Sequence, residues 1–310
     1  MFDHLSAGGH ELTYRGCPAC SEAPYAPAFS KSGFSYVRCR HCGAVYINPI
    51  PVERALRQGY DELSGTYFLD QRRQAVDRYP QRHARETALV ARTGVNGALL
   101  DVGCATGSFL LAAIAAGFQH PVGIDIAGPS IVHAQQLGLD AIAGNFTAHI
   151  FDEARFDIVT IWNTLEHLSE PFAFVAEAHR VLKRSGWLAI SVPNFGSLSV
   201  RLLGTKYRYI ALAHLNYFTV RTLTHMVERA GFAVHHTETR SFNPYVVLLD
   251  WRGGGMLPGT DGMIRETELS KSFKTERSFA PARLAYHVVD RALQLFGLGD
   301  SLLLLARRRG

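Results

Sequence analysis

Four of the five cysteines stand in two pairs, Cys17-Pro-Ala-Cys20 and Cys39-Arg-His-Cys42, with eighteen residues between them. Two Cys-x-x-Cys knuckles at this separation can wrap four thiolates around one zinc ion, and Gly43 supplies the turn of the second knuckle. Cysteine fills all four positions, so none remains for water or substrate and the predicted site is structural. The intervening Arg40 and His41 read as solvated. A second constellation runs Asp101-Val-Gly103-Cys104-Ala105-Thr-Gly107, with Asp125 about twenty residues later in Pro121-Val-Gly-Ile-Asp-Ile126. Glycine lets a chain turn tightly and lets a bulky ligand lie on bare backbone amides, and an acid at a strand end can accept from two ribose hydroxyls.

These residues need particular elements to hold them. Ala98 to Val102 is short and apolar, the pattern of a strand buried on both faces, and Phe109 to Ala116 reads as a helix stopped by Gly117. The unit is therefore strand, loop, helix. A dinucleotide loop would carry G-x-G-x-x-G, but Ala105 and Ser108 occupy the second and third glycine positions. Downstream, Ser130 to Leu137 reads as a helix, Asp140 to Asn145 and Phe156 to Trp162 as strands, and Trp187 to Val192 as a fifth strand. Between the last two lies a helix from Ser169, its expected cap, through Pro171 to Lys183 and Arg184. Strands alternating with helices predict parallel pairing, with ligands at the carboxyl ends of the strands. Val45 to Pro51 reads as an edge strand stopped by prolines. Thr219 caps a helix over Val220 to Ala230, Phe232 to Thr239 follows as a strand, and Ser301 to Leu305 closes the sheet.

Asp101-Val-Gly-Cys-Ala-Thr-Gly107 followed by Gly123-Ile-Asp125 resembles the S-adenosylmethionine site of class I methyltransferases, whose usual pattern has glycine where Ala105 stands. The resemblance implies an α/β fold with a Rossmann-like, mostly parallel sheet, an antiparallel closing strand and a small N-terminal zinc ribbon. It implies that Asp101, Gly103, Cys104, Ala105, Gly107, Asp125, Ile126 and Asn163 line the cofactor and that Asn145 and Phe146 grip its adenine. It also implies that Tyr60 and Tyr67 lie over the cofactor. Asn163-Thr-Leu-Glu-His-Leu168 is similar to a subgroup that modifies small molecules, including sugars, polyketides and quinone precursors. Methyl transfer to a hydroxyl needs a proton acceptor, worth ~10²–10⁴-fold when well placed. His214, in a motif that relatives carry beside the acceptor pocket, is the first candidate and His167 the second, with Glu166 as a hydrogen-bonding support.

Composition fits a cytoplasmic globular enzyme of 310 residues with 47% hydrophobic content. No run of eighteen apolar residues suggests a membrane span, and the amino end does not read as a signal peptide. The formal charge of +5 becomes about +3 once four thiolates and one Zn2+ are counted. The basic residues are interleaved with acids rather than striped, which weighs against nucleic acid as the partner. The expected division is a zinc ribbon over 1–50, a helical linker covering the cofactor over 51–95, and the methyltransferase domain over 96–310. An insertion at about 242–299 serves as a lid, a homodimer contact or both. Two rival functions remain in view. One is an RNA methyltransferase gripping nucleic acid with the ribbon, against which Asn163-Thr-Leu-Glu166 lacks the Asn/Asp-Pro-Pro-aromatic pattern. The other is a binding protein without transfer, against which Gly103, Gly107 and Asp125 are retained together.

Overall fold

The computed structural model describes residues 11–56, 83–252 and 280–310. Short apolar runs become strands and the helices between them cover the faces. The strands are β1 (Leu12–Thr13), β2 (Tyr25–Lys31), β3 (Phe34–Cys39), β4 (Val45–Ile47), β5 (Ile50–Pro51), β6 (Leu99–Val102), β7 (Val122–Asp125), β8 (Asp140–Ala143), β9 (Phe156–Trp162), β10 (Leu182–Pro193), β11 (Asn216–Tyr217), β12 (Phe232–Arg240) and β13 (Ser301–Arg308). The helices used below are α1 (Ala84–Ala91), α2 (Ser108–Ala115), α3 (Gly128–Gln136), α4 (Pro171–Val181), α5 (Leu198–Leu203), α6 (Val220–Arg229), α7 (Pro244–Trp251) and α8 (Ala280–Leu295).

Seven strands form the central sheet in the order β12-β13-β10-β9-β6-β7-β8. The five from β10 to β8 run parallel, whereas β13 lies antiparallel between β10 and β12. This is the Rossmann-like methyltransferase sheet expected from the sequence. All four residues of β6 are buried, as the run from Leu99 to Val102 requires at the middle of a sheet covered on both faces. Among the described residues no helix is long and apolar enough to cross a membrane.

The ribbon forms a second sheet, ordered β11-β4-β3-β2. Its fourth strand comes from far along the chain: Asn216 and Tyr217 pair with Tyr46 and Val45. The expected edge strand at Val45 is thus interior, because β3 and β11 both pair with it. Ile50–Pro51 turns away to pair with Leu12–Thr13. Two apolar clusters bind the ribbon to the rest. The cysteines, Val37 and Tyr46 pack in one cluster with residues of the central sheet and of α6, while Phe34, Tyr36, Val45 and Ile47 pack with Leu203, Tyr207, Ile210, Leu215 and Tyr217.

Three other expectations change. The helix expected to reach Arg184 ends at Val181, because Leu182 already pairs with Phe156 and an irregularity follows before Trp187 resumes the ladder. Its N-cap position is Glu170 rather than Ser169, with no side-chain cap. The closing strand continues to Arg308 and is interior, since β12 pairs with its other edge. The insertion contributes α7 and α8, whereas Tyr60, Leu63, Tyr67, Gly253 to Gly255, Pro258 and Gly259 lie outside the described residues.

Candidate active site

The turn from β6 to α2 is built for close approach. Gly103 has φ +80°, and a Cβ there would stand 2.2 Å from Thr164 Oγ1. Gly107 has φ +78° at the N-cap position of α2, where a Cβ would meet Leu139 at 2.3 Å. Ala105, at φ +48°, adopts the left-handed backbone that glycine takes more easily. The amides of Gly103 and Cys104 donate to Ile124 O at 2.8 and 3.2 Å, tying the loop to β7.

Asp125 ends β7, and its carboxylate fixes two loops at once. Oδ2 accepts from Ala105 N and Oδ1 from Ala127 N, both at 2.8 Å. The carboxylate thus stands at the strand end beside the glycine loop, the position from which an acid can accept from a ribose diol. Asp101 is 2% exposed and accepts from Thr160 Oγ1 at 2.7 Å. Burial pushes its carboxyl up to about 8, against the Thr160 hydrogen bond and with a smaller contribution from Asp125. Over the loop, His83 Nε2 lies 2.9 Å from Ser108 Oγ, so the start of α1 reaches the first residue of α2. Ile126 follows Asp125 at the same strand end, partly exposed.

The adenine pair is placed differently from the expectation. Asn145 Oδ1 accepts from Thr147 N at 3.1 Å and from Thr147 Oγ1 at 3.0 Å, capping the turn Phe146–Ala148. Those two bonds fill the amide oxygen's lone pairs, the group through which Asn145 was to accept from the adenine. Phe146 is 2% exposed, with its ring 5.8 Å from that of Phe174 inside the core.

Beyond β9 the chain turns through Asn163, at φ +47°, into the single helical turn Leu165–His167. His167 Nδ1 donates to Ala213 O at 2.6 Å, and the ring centroids of His167 and His214 are 4.9 Å apart. The His214 ring is stacked on Tyr209 with the planes 3° apart. Burial lowers both imidazoles, His214 to about 3 with His167 adding to the effect, so both are neutral at ordinary pH. Glu166 is 2% exposed, and burial pushes its carboxyl up to about 8 against a bond from its own backbone amide. Its Oε1 is 3.7 Å from His167 Nε2, beyond hydrogen-bond length, and its Oε2 is buried with no hydrogen-bond partner. At that distance Glu166 does not hydrogen-bond His167, and its backbone carbonyl, which accepts from Leu215 N, is the group that ties this segment down.

What holds the two histidines is the ribbon. Leu215 N donates to Glu166 O at 2.7 Å, and Asn216 Nδ2 donates to Leu165 O and Leu168 O at 2.9 and 2.8 Å. Arg15, two residues before Cys17, donates to Ser169 O at 2.5 Å, Leu215 O at 2.9 Å and Ile47 O at 3.4 Å. Asn48 in turn holds both backbone groups of Arg15. Nothing in the local sequence marks Arg15, since its partners lie up to 200 residues away. Thr160 and Thr164 were missed for a similar reason: they read only as parts of a buried strand and its exit.

The four knuckle cysteines are buried and their sulfurs lie within 4.8 Å of one another. Cys17 and Cys42, and likewise Cys20 and Cys39, are separated by 3.5 Å. Tetrahedral zinc with Zn–S bonds of about 2.3 Å spaces its sulfurs by about 3.8 Å, so the cluster could hold one such ion with little movement. Burial raises the thiols of Cys17 and Cys42, which a bound cation would reverse.

A family model described as a methyltransferase domain matches residues 68–237. A protein of Mycolicibacterium smegmatis described as a probable S-adenosylmethionine-dependent methyltransferase is 28% identical over 165 residues, 51% of this chain and 61% of the relative. The ubiquinone biosynthesis O-methyltransferase of Leptothrix cholodnii is 27% identical over 162 residues, 47% of this chain and 68% of the relative. The chain thus spans about two thirds or less of the length of these curated relatives. Among solved structures, a SAM-dependent methyltransferase from Thermotoga maritima aligns with TM-score 0.51 and 14% identity, covering 80% of this chain and 98% of that one. Another from Archaeoglobus fulgidus aligns with TM-score 0.51 and 18% identity, covering 78% and 100%. With more than half its length matched by the family model, the chain belongs to the methyltransferase domain family.

Proposed function

We propose that this methyltransferase methylates a hydroxyl oxygen of a small molecule, of the sugar, natural-product or quinone-precursor kind. The observation that carries the reading is one of position. The glycine loop with Asp125 and the pair His167 and His214 all follow the carboxyl ends of neighbouring parallel strands, β6, β7, β9 and β10. Ubiquinone biosynthesis O-methyltransferases among the relatives support an oxygen acceptor.

S-adenosylmethionine, when bound, supplies a methyl group already activated on a sulfonium. The residues present fit it: Gly103 and Gly107 leave the backbone bare, and Asp125 places a carboxylate at the strand end beside them. In this reading Asp125 orients the ribose, Gly103, Cys104, Ala105 and Gly107 pass along the cofactor, and Asp101, Ile126 and Asn163 flank it. The chain's remaining task is alignment and exclusion of water, which is where most of the rate arises in an in-line displacement. His214 receives the acceptor's proton, directly or through His167. Burial keeps His214 neutral, the form in which an imidazole can accept a proton. Cys17, Cys20, Cys39 and Cys42 hold a structural zinc ion, and the ribbon over 1–50, the linker over 51–95 and the domain over 96–310 are the proposed units.

The test is incubation of the purified protein with methyl-labelled S-adenosylmethionine and a host-cell extract, fractionated into small molecules, glycans and RNA. Label in the small-molecule or glycan fraction supports the reading. Label in nuclease-sensitive material overturns it and favours the RNA alternative.

A further inference from the structure

We propose that Glu166, His167 and His214 bind a divalent first-row cation of the zinc class, at a second metal site separate from the four cysteines. The inference rests on the reading of this cluster as the acceptor side. Three observations carry it. One ligand atom from each side chain lies within 4.8 Å of the others, and Glu166 Oε1 is already 3.7 Å from His167 Nε2. Donors about 2.0–2.2 Å from a tetrahedral ion stand about 3.3–3.6 Å apart, so the cluster needs to close by roughly 1 Å. This lies within the reach of small χ rotations.

The second observation is the support behind the ligands. His167 Nδ1 donates to Ala213 O, and His214 makes a hydrogen bond to the backbone of Tyr209. Metal-binding histidines characteristically fix one ring nitrogen on a carbonyl so that the other is presented to the ion. The third is Glu166 itself. Its side chain is 3% exposed and Oε2 has no hydrogen-bond partner, a costly arrangement that a bound cation would relieve. A histidine pair with one carboxylate is a donor set that suits zinc and similar ions and leaves a coordination position open.

That open position gives the site its use. An acceptor hydroxyl bound there loses its proton to solvent more readily, because the cation stabilises the oxyanion. As the acceptor oxygen forms its bond to the methyl carbon, the carbon–sulfur bond breaks and its electron pair stays on sulfur. The products are the methyl ether, the thioether and one proton, with no change in oxidation state that would call for another reactant. In the metal-loaded protein His214 would serve as a ligand, and the proton-accepting role proposed for it above would pass to water.

The experiment measures binding without turnover. Protein with its cysteine site filled by zinc is titrated with Co2+ by calorimetry, with elemental analysis and visible absorption read on the same samples. The expected result is one further equivalent, whose spectrum lacks a sulfur-to-cobalt charge-transfer band. Affinity should fall at least tenfold in Glu166→Gln and in His214→Ala and remain unchanged in Asp125→Ala. No further equivalent in the wild type, or equal uptake by Glu166→Gln, overturns the proposal. Should either variant fail to fold, zinc titration of the wild type followed by histidine-ring NMR decides. Shifts confined to two rings support the site, and no shifts refute it. Absence of the cation leaves the O-methylation reading intact, whereas metal uptake with label only in RNA keeps the site and sinks that reading.

Discussion

Replacing Arg15 with methionine keeps the side chain's length and removes donors that reach three backbone carbonyls on three segments: Ser169, Leu215 and Ile47. Burial lowers the guanidinium to about 10, so the charge is held in place at a cost that its hydrogen bonds offset. Hydrogen bonds to a charged group contribute about 1.5–3 kcal/mol each, and two of the three are short. Allowing for the desolvation that methionine avoids, the expected loss of stability is about 2–4 kcal/mol. The same bonds tie the ribbon to the segments that follow His167 and His214, and a displacement near 1 Å at a reacting group can lower turnover by ~10²-fold. Arg15→Met should therefore lower kcat by roughly 10–100-fold, while the Kd for S-adenosylmethionine, bound on the β6 and β7 side, stays within about twofold. Arg15→Lys, which can reach one carbonyl, should recover part of the kcat. The assays are denaturant unfolding, calorimetry with the cofactor, and methyl transfer to the acceptor found by labelling. A folded Arg15→Met protein with unchanged kcat, or with cofactor affinity reduced as much as kcat, refutes the reasoning.

Asp125→Ala removes the acceptor for the ribose diol and for two loop amides, so calorimetry should give a cofactor Kd raised about 10–100-fold, from hydrogen bonds to a charge worth 1.5–3 kcal/mol each. Unchanged affinity would remove Asp125 from the ribose role. Gly103→Ala puts a methyl 2.2 Å from Thr164 Oγ1 at φ +80°, which should lower stability by about 2–3 kcal/mol by overpacking and backbone strain; a melting temperature equal to wild type would contradict this. Asp101 and Glu166 both have folded-state pKa values raised to about 8. The folded chain therefore holds protons that the unfolded chain has released above about pH 4–5, and stability falls as pH rises from there to about 8. Thermal melts of cofactor-free protein should show this slope, reduced in Asp101→Asn; a melting temperature independent of pH across that window would count against it.

The parts readable from the sequence were those whose reason is local. Gly103 and Gly107 announce a tight turn after an apolar run, Asp125 ends the next run, and the two cysteine pairs declare their own spacing. The parallel sheet follows from the alternation of those runs with helical segments. What stayed hidden depends on contacts between distant segments. Two residues, Asn216 and Tyr217, complete the ribbon sheet beside Val45 and Tyr46, and no periodicity can mark a strand that short. That pairing moves Val45 from an edge to the interior and makes the ribbon a wall of the histidine site. Arg15 has no motif because all its partners are backbone carbonyls far along the chain. The amide oxygen of Asn145 is engaged by Thr147, two residues on, a contact that the residue type alone does not reveal. Leu182 begins its strand early because Phe156 is opposite it, a pairing that outweighs the helix propensity of Lys183 and Arg184.

The central claim is transfer of a methyl group to oxygen. Carbon-13 NMR of the product formed with S-adenosylmethionine labelled at its methyl carbon tests it most directly, because the chemical shift of the transferred methyl reports the atom that carries it. The account predicts a methyl resonance in the range of methyl ethers, in a small-molecule fraction. A resonance in the range of methyl groups on nitrogen or carbon would contradict it.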